Sequence, residues 1–366
     1  MAKKNVRNMK VCGQSGYKYE TVPAITLKGK WLEELGFHLG DYVQVKCENG
    51  QLIITPDVNK AQEQEAKTAF MDEEIKKLKI KKLLQNMWQS RVPAVMERKH
   101  ERGKCMARII MCGSFKGGVG KTASSWNLAY SLAEMGKRVL AVDFDSQANL
   151  TTCFGIEDPA AVPVTIGHLM MNRLEDEEMP DPSEFVQSRN GVDFISSSML
   201  LSAVDSKLRM EMGSEKMLTG ILEPLRGLYD YIIVDTCPSL GTLTINALTA
   251  ADEVIIAVNP QLLAMMGLQD FIRTVKKVRS RLNDRLQIAG ILLTMCDART
   301  NLCKVITEQL TDTFDGQIRI FKSIIPNTVK VGESIYYSEP LLEYAPENKA
   351  CKAYRNLAEE VDGDES

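Results

Sequence analysis

A chain of 366 residues with 44% hydrophobic and 25% charged residues exceeds one ordinary domain and carries enough apolar material for a sizeable core, which excludes disorder over most of its length. The formal net charge of -3 hides an asymmetry, about +7 before Met106 and about -10 after it, so an electrostatic nucleic-acid contact is expected in the amino-terminal part. Nine cysteines without C-x-x-C or other metal-ligand spacing, three scattered histidines (His38, His100 and His168), no apolar segment behind the basic MAKKNVRNMK and no run of 18 apolar residues exclude a disulfide framework, a zinc or histidine metal centre, a secretory signal and a membrane span.

Residues 1–57 read as a small β-rich module. TVPAITL alternates, LKGKWLEELGF has the pattern of a short amphipathic helix, and YVQVKCENGQLIITP predicts a hairpin around Glu48-Asn49-Gly50. Such a module is too small to bury a generous core alone, and dimerisation through shared strands would supply one. Residues 58–105 shift to Gln, Glu, Lys and Arg, with Ile75, Leu78, Ile80, Leu83 and Leu84 loosely at helical spacing, which predicts a charged helical linker. Its basic end, RKHERGK, reads as a solvated hinge.

Residues 106–366 alternate apolar runs with helical stretches: ARIIMCG, a helix to Met135, RVLAVDF, VDFISSS, YDYIIVD, EVIIAV and IAGILLTM. Runs that are apolar on both faces predict an α/β fold with a mostly parallel sheet flanked by helices. Ligands of such sheets bind at the carboxyl ends of the strands. The stretch from about Asp158 to Asn190, with its acidic LEDEEMPDPSEF, reads as a surface excursion.

Between the first of these strands and its helix stands Ser114-Phe115-Lys116-Gly117-Gly118-Val119-Gly120-Lys121-Thr122, a P-loop in the context such a loop requires, with the helix expected from Thr122 onward through Ala123. Glycines let the backbone curl so that N–H groups face phosphate oxygens, and the helix amino terminus adds partial positive charge. Lys121 is the cation for the β and γ phosphates, and Thr122 offers a hydroxyl to magnesium. ATP and Mg2+ are therefore the expected cofactors. Asp235, ending the run YDYIIVD, stands where a magnesium-bound water needs a carboxylate.

The second lysine of the loop, Lys116, resembles the deviant Walker A motif, KGGVGKT. RVLAVDFDSQANLT is similar to the ParA segment in which two aspartates precede a Gln and an Asn, and YDYIIVDTCPSLGTLTINAL is similar to its Walker B region. ILLTMCDARTNL resembles the stretch bordering the adenine, with Met295, and KSIIPNTVKVGES the segment closing over the base, with Pro326 and Asn327. From about Met106 to Val361 the chain is identified as a member of the ParA/Soj-like partition ATPases, within the ParA and MinD group. The resemblance implies that Lys116 reaches the partner subunit's nucleotide, that Asp145 orients the attacking water, and that Asp143 holds the loop and the metal's water shell. It further implies an ATP-dependent homodimer, non-specific DNA binding with Arg299, Lys322 and Lys330 as candidate cations, a ParB-like centromere-binding partner, and a cytoplasmic, nucleoid-associated location without membrane contact. Ser146 and Cys237 stand where the family usually has Pro, and Asn327-Thr328 replaces a usual Arg-Asn pair, which removes one cation from the family's DNA surface.

TLKGKWLEELGFHLGDYVQVKCENGQLIITP resembles SymE-like proteins, relatives of AbrB-type swapped-hairpin folds, across roughly Tyr17 to Asp57. Gly29, Trp31, Leu32, Gly36, Phe37, Gly40 and Asp41 take mainly structural roles in that pattern. The module has no paired carboxylates or other catalytic set, so it is read as binding rather than cleaving nucleic acid. The primary reading is a DNA-partitioning ATPase. The alternative is a DNA- or RNA-binding regulator or toxin whose assembly the ATPase gates.

Overall fold

The chain divides into two units, residues 1–90 and 91–366. The computed structural model describes residues 12–15, 21–24, 27, 30–37, 43–48 and 51–56 of the first, and 106–260, 264–296, 301–314 and 316–363 of the second. The expected helical linker therefore lies outside the described residues, as do Arg299, Gly29, Gly40 and Asp41.

In the first unit β1 (Cys12–Ser15) pairs antiparallel with β2 (Thr21–Ala24), a short helix spans Trp31–Glu34, and β3 (Val43–Glu48) pairs antiparallel with β4 (Gln51–Pro56). Glu48 stands opposite Gln51, so the two strands of the expected hairpin pair with each other, while Asn49 and Gly50 lie outside the described residues. The strand β1 was not expected. Val43, Val45, Leu52 and Ile53 are all exposed, so among the described residues these apolar side chains of the hairpin stay uncovered.

The second unit is built on β5 (Arg108–Gly113), β6 (Val139–Phe144), β7 (Val186–Arg189), β8 (Val192–Ile195), β9 (Tyr231–Thr236), β10 (Glu253–Val258) and β11 (Gln287–Leu293). They form one sheet in the order β11-β10-β5-β9-β6-β8-β7, parallel throughout except that the edge strand β7 runs antiparallel to β8. Alternation sends Ile109, Met111, Leu140, Val142, Ile232 and Val234 into one core cluster, and Ile110, Cys112, Val139, Ala141, Tyr231 and Ile233 into the other. Both faces are thus covered, which is why these strands read as continuous apolar runs.

On the second face the helix Lys121–Glu134 contributes Trp126, Leu128 and Leu132, and the last helix, Lys349–Asp362, contributes Tyr354, Leu357 and Val361. On the first face the helix Ala264–Arg281 contributes Phe271, Val275 and Val278. The other side of that helix exposes Arg273, Lys276, Lys277, Arg279 and Arg281, a solvated basic face on an amphipathic helix.

Two expectations are corrected. The stretch around 158–190 is not all surface: Ile166, Leu169 and Met170 of the helix Ile166–Leu174 are fully buried, and Phe185 and Val186 lead into the edge strand β7. Its acidic residues had masked the helical spacing of those apolar ones. A disulfide joins Cys296 to Cys303, their Cα atoms 6.2 Å apart, because the end of β11 meets the following helix there. A separation of seven residues carries no sequence motif that would announce it.

Candidate functional site

Three adjacent strands, β5, β9 and β6, end side by side, and each ends in a segment the sequence singles out. In the ladder Cys112 pairs with Asp235, and Asp235 pairs with Asp143, so two carboxylates sit directly opposite each other beside the root of the P-loop. The loop runs from Ser114 to Gly120, where the chain turns into the helix beginning at Lys121, one residue earlier than expected. Gly118 and Gly120 have φ of 72° and 76°, the left-handed region that costs an L-residue about 1–2 kcal/mol. Ser114 ties the loop's base, its Oγ accepting from Lys116 N and donating to Lys116 O, both at 3.1 Å. Across the site the Thr294 hydroxyl donates to Val119 O at 2.7 Å, which fastens the loop to the end of β11.

Asp235 is completely buried and accepts from Thr122 Oγ1 at 2.7 Å and from Ser125 Oγ at 2.8 Å. Burial pushes its carboxyl up to about 6, against the opposing effect of those hydroxyls and the nearby Lys121 charge. Asp143, 1% exposed, accepts from Thr151 N and Thr151 Oγ1, both at 2.7 Å, and from Asp145 N at 3.2 Å. Burial, followed by the charge on Asp235, pushes it up to about 7. Asp143 thereby fixes the loop that carries Asp145. Asp145 is 6% exposed, and its Oδ1 accepts from Gln147 N at 3.0 Å. The helix after that loop starts from Ala148, a non-glycine residue at φ 52°.

The residues fit a magnesium nucleotide on two counts. The Lys121 side chain is nearly buried at the helix amino terminus, its ammonium has no hydrogen bond or ion pair among the described residues, and the first turn of the helix adds its partial positive charge. Among the described residues no group of three or more His, Cys, Asp or Glu could hold a metal alone. The hard oxygens of Thr122 and Asp235 suit magnesium, which takes few protein ligands and completes its shell with water and phosphate. Ala123 is buried in the first turn of the same helix.

The expected adenine residues come together from two segments. Cys296 N donates to Ile325 O at 3.0 Å and Ile325 N to Leu293 O at 2.9 Å, so Met295 lies beside Pro326 and Asn327. Met295 is 46% exposed and holds φ 52°, a strained backbone of the kind found at binding sites. Of the DNA candidates, Lys322 is exposed, and Lys330 is engaged, its Nζ 2.8 Å from Glu333 Oε2 and 5.4 Å from the centre of the Tyr344 ring. Sequence reasoning missed Ser125, Thr151 and Thr294. Ser125 follows Thr122 by three residues on one helix face, a spacing that could have suggested it, whereas Thr294 acts only through the tertiary fold.

Residues 107–288 match the family model described as an AAA domain, and residues 4–56 match the model of toxin SymE, of a type I toxin-antitoxin system. The chain is 39% identical over 256 residues to the sporulation initiation inhibitor protein Soj of Bacillus subtilis, covering 70% of this chain and 98% of Soj. It is 36% identical to the chromosome partitioning protein ParA of Myxococcus xanthus, covering 71% of this chain and 90% of the relative. The crystal structure of cobyrinic acid a,c-diamide synthase from Mycobacterium smegmatis with bound ADP and magnesium superposes with a TM-score of 0.60 at 31% identity, over 69% of this chain and 93% of that one. No described helix is long and apolar enough to cross a membrane.

Proposed function

Because the chain belongs to the Soj/ParA family of P-loop partition ATPases, we propose that residues 106–366 bind ATP with magnesium, dimerise on doing so, hold DNA without sequence preference as the dimer, and release it on hydrolysis triggered by a ParB-like partner. The cargo is plasmid or chromosomal DNA. The observation that supports this most is the nearly buried Lys121, without a hydrogen bond or ion pair among the described residues, beside the Thr122–Asp235 hydrogen bond.

In this reading the loop N–H groups and Lys121 take the phosphates, Thr122 and Asp235 hold the metal and its water, and Met295, Pro326 and Asn327 border the base. Magnesium, when bound, neutralises charge on the β and γ phosphate oxygens. Lys116 crosses to the partner's nucleotide. Asp145 accepts a hydrogen bond from the attacking water and orients it. Its place is held by Asp143, whose three accepted hydrogen bonds anchor the loop. DNA is held by phosphate neutralisation through Arg299, Lys322 and Lys330, so binding falls steeply as salt rises. The apolar face of the last helix is spent in the core, through Tyr354, Leu357 and Val361, and offers nothing to a bilayer.

The test is Asp145→Ala. The variant should bind ATP and dimerise as the wild type does, lose about a hundredfold or more in turnover, and remain on non-specific DNA with ATP. Wild-type turnover would remove the catalytic assignment. Combining Arg299→Glu with Lys330→Glu should release DNA and leave the dimer intact; retention by residues 106–366 alone would misplace the surface. The match of residues 4–56 to toxin SymE supports a second reading, in which the front module selects a nucleic acid and the ATPase gates its assembly. A protein beginning at Met106 separates the two: loss of all DNA affinity favours the second.

A further inference from the structure

The helix Ala264–Arg281 carries a charged face that the proposed function leaves unused. Its apolar side is seated in the core through Phe271, Val275 and Val278, and Gly267 lies so close to the ring of Phe115 that a Cβ there would collide with it. Packing therefore fixes the direction of the outward side. On that side Lys276, Lys277, Arg279 and Arg281 are exposed, and an exposed Arg285 follows in the turn after the helix.

These five cations are uncompensated. Arg273, one turn earlier, is held by Asp270 at 2.8 Å, but Lys276, Lys277, Arg279, Arg281 and Arg285 form no ion pair or side-chain hydrogen bond among the described residues. Between residues 274 and 287 the one carboxylate is Asp284. Lys277 and Arg281 are four residues apart and Lys276 and Arg279 three, spacings at which like charges destabilise a helix. The helix dipole favours cations in the last turn, which accounts for Arg279 and Arg281, yet its effect fades before Lys276 and Lys277. The fold alone thus gives no reason for the whole stripe.

The stripe suits an extended polyanion. At about 1.5 Å of rise per residue, Lys277 and Arg281 stand about 6 Å apart along a straight axis, and duplex DNA offers one negative charge per about 1.7 Å of its own. Cations set out along a line do not converge on one small anion. With Phe271, Val275 and Val278 in the core, the helix has no apolar side left for a bilayer. The second unit is acidic overall, about -10, so a polyanion can approach it only where cations concentrate.

We propose that this helix face is a second contact for the duplex DNA backbone, separate from Arg299, Lys322 and Lys330. The proposal rests on the reading of the chain as a DNA-holding ATPase. It adds uncommitted cations to a set in which Lys330 is already paired with Glu333. Contacts of this kind sense charge and not base sequence.

The test combines Lys276→Gln, Lys277→Gln, Arg279→Gln and Arg281→Gln in the full chain and titrates short duplexes of two unrelated sequences, with ATP and magnesium, from about 50 to 200 mM salt. The first unit is present in both proteins, so its own contribution cancels. Each lost phosphate contact lowers the slope of log K against log salt by about 0.9, so the slope should fall by about 2 to 4 and affinity near 0.1 M salt by about tenfold or more, equally for both duplexes. ATP turnover without DNA should be unchanged. Lys276→Arg with Lys277→Arg should keep the wild-type slope, because the charge stays. The inference is overturned if the fourfold variant, folded by circular dichroism, changes the slope by less than about 1, if only one of the duplexes is weakened, or if the variant keeps DNA and loses poly-L-glutamate, which would assign the face to an acidic protein. A double Lys276→Gln, Lys277→Gln variant, with a slope lowered by about 1 to 2, decides the matter where the fourfold variant does not fold. Absence of duplex binding by the wild type would remove the DNA reading as a whole, whereas wild-type binding with an unchanged slope in the variants would remove this surface alone.

Discussion

Thr151→Val removes one hydroxyl and nearly preserves shape, so its effect isolates the hydrogen bonds that hold the Asp143 loop. Thr151 is fully buried; its Oγ1 donates to Asp143 Oδ2 at 2.7 Å and accepts from Ser197 N at 2.8 Å. Valine leaves the buried Ser197 amide without an acceptor, costing about 1–3 kcal/mol, and removes a bond to a carboxylate, worth about 1.5–3 kcal/mol when that carboxylate is ionised. Together they predict a loss of about 3–5 kcal/mol near pH 8. The loss should depend on pH. Asp143 is raised to about 7 in the fold, so the stability its neutral form contributes is present below the ordinary aspartate range and lost as pH rises through about 7. Thr151 opposes that rise, so the variant pushes Asp143 higher still, and the penalty grows by about 1 kcal/mol from pH 5 to pH 8. Urea unfolding of both proteins, free of nucleotide, at the two pH values measures this. A loss under 1 kcal/mol at pH 8, or one that shrinks as pH rises, would refute the reasoning.

Lys121→Ala should abolish ATP binding in a direct titration, because backbone amides alone cannot offset a triphosphate's charge; wild-type affinity would sink the nucleotide site. Lys116→Ala should keep nucleotide binding by the monomer and lose the ATP-dependent dimer in sedimentation, and a normal dimer would contradict the cross-subunit role. Arg226→Ala should cost about 1–3 kcal/mol in chemical unfolding, because the buried guanidinium bonds Asp252 at 2.7 and 3.0 Å and Ala107 O at 2.8 Å, and its removal leaves the Ala107 carbonyl without that donor while Asp252, a quarter exposed, keeps the Ile109 amide. A loss below 1 kcal/mol would show that water replaces it.

Much of the second unit was legible in order along the chain. Apolar runs of six or so residues could only be strands covered on both faces, and Lys116 to Thr122 is a local pattern whose chemistry follows from spacing, so strand, loop and helix could be placed together without knowing what packs beside them. Asp143 and Asp235 were recognisable as strand ends for the same reason. Other features depended on contacts that chain order does not reveal. That Asp143 and Asp235 face each other follows from β6 and β9 being neighbours, although β7 and β8 separate them in sequence. That crossover creates the repulsion raising Asp143, and it brings Thr151 and Ser197 together behind it. The burial of Ile166, Leu169 and Met170 was hidden by acidic neighbours, since composition averages over a helix whose two sides meet different surroundings. Thr294 reaching Val119 is decided by how strand ends pack, because a polar group's worth is set by the partner it meets, and this one lies more than a hundred positions away in the chain.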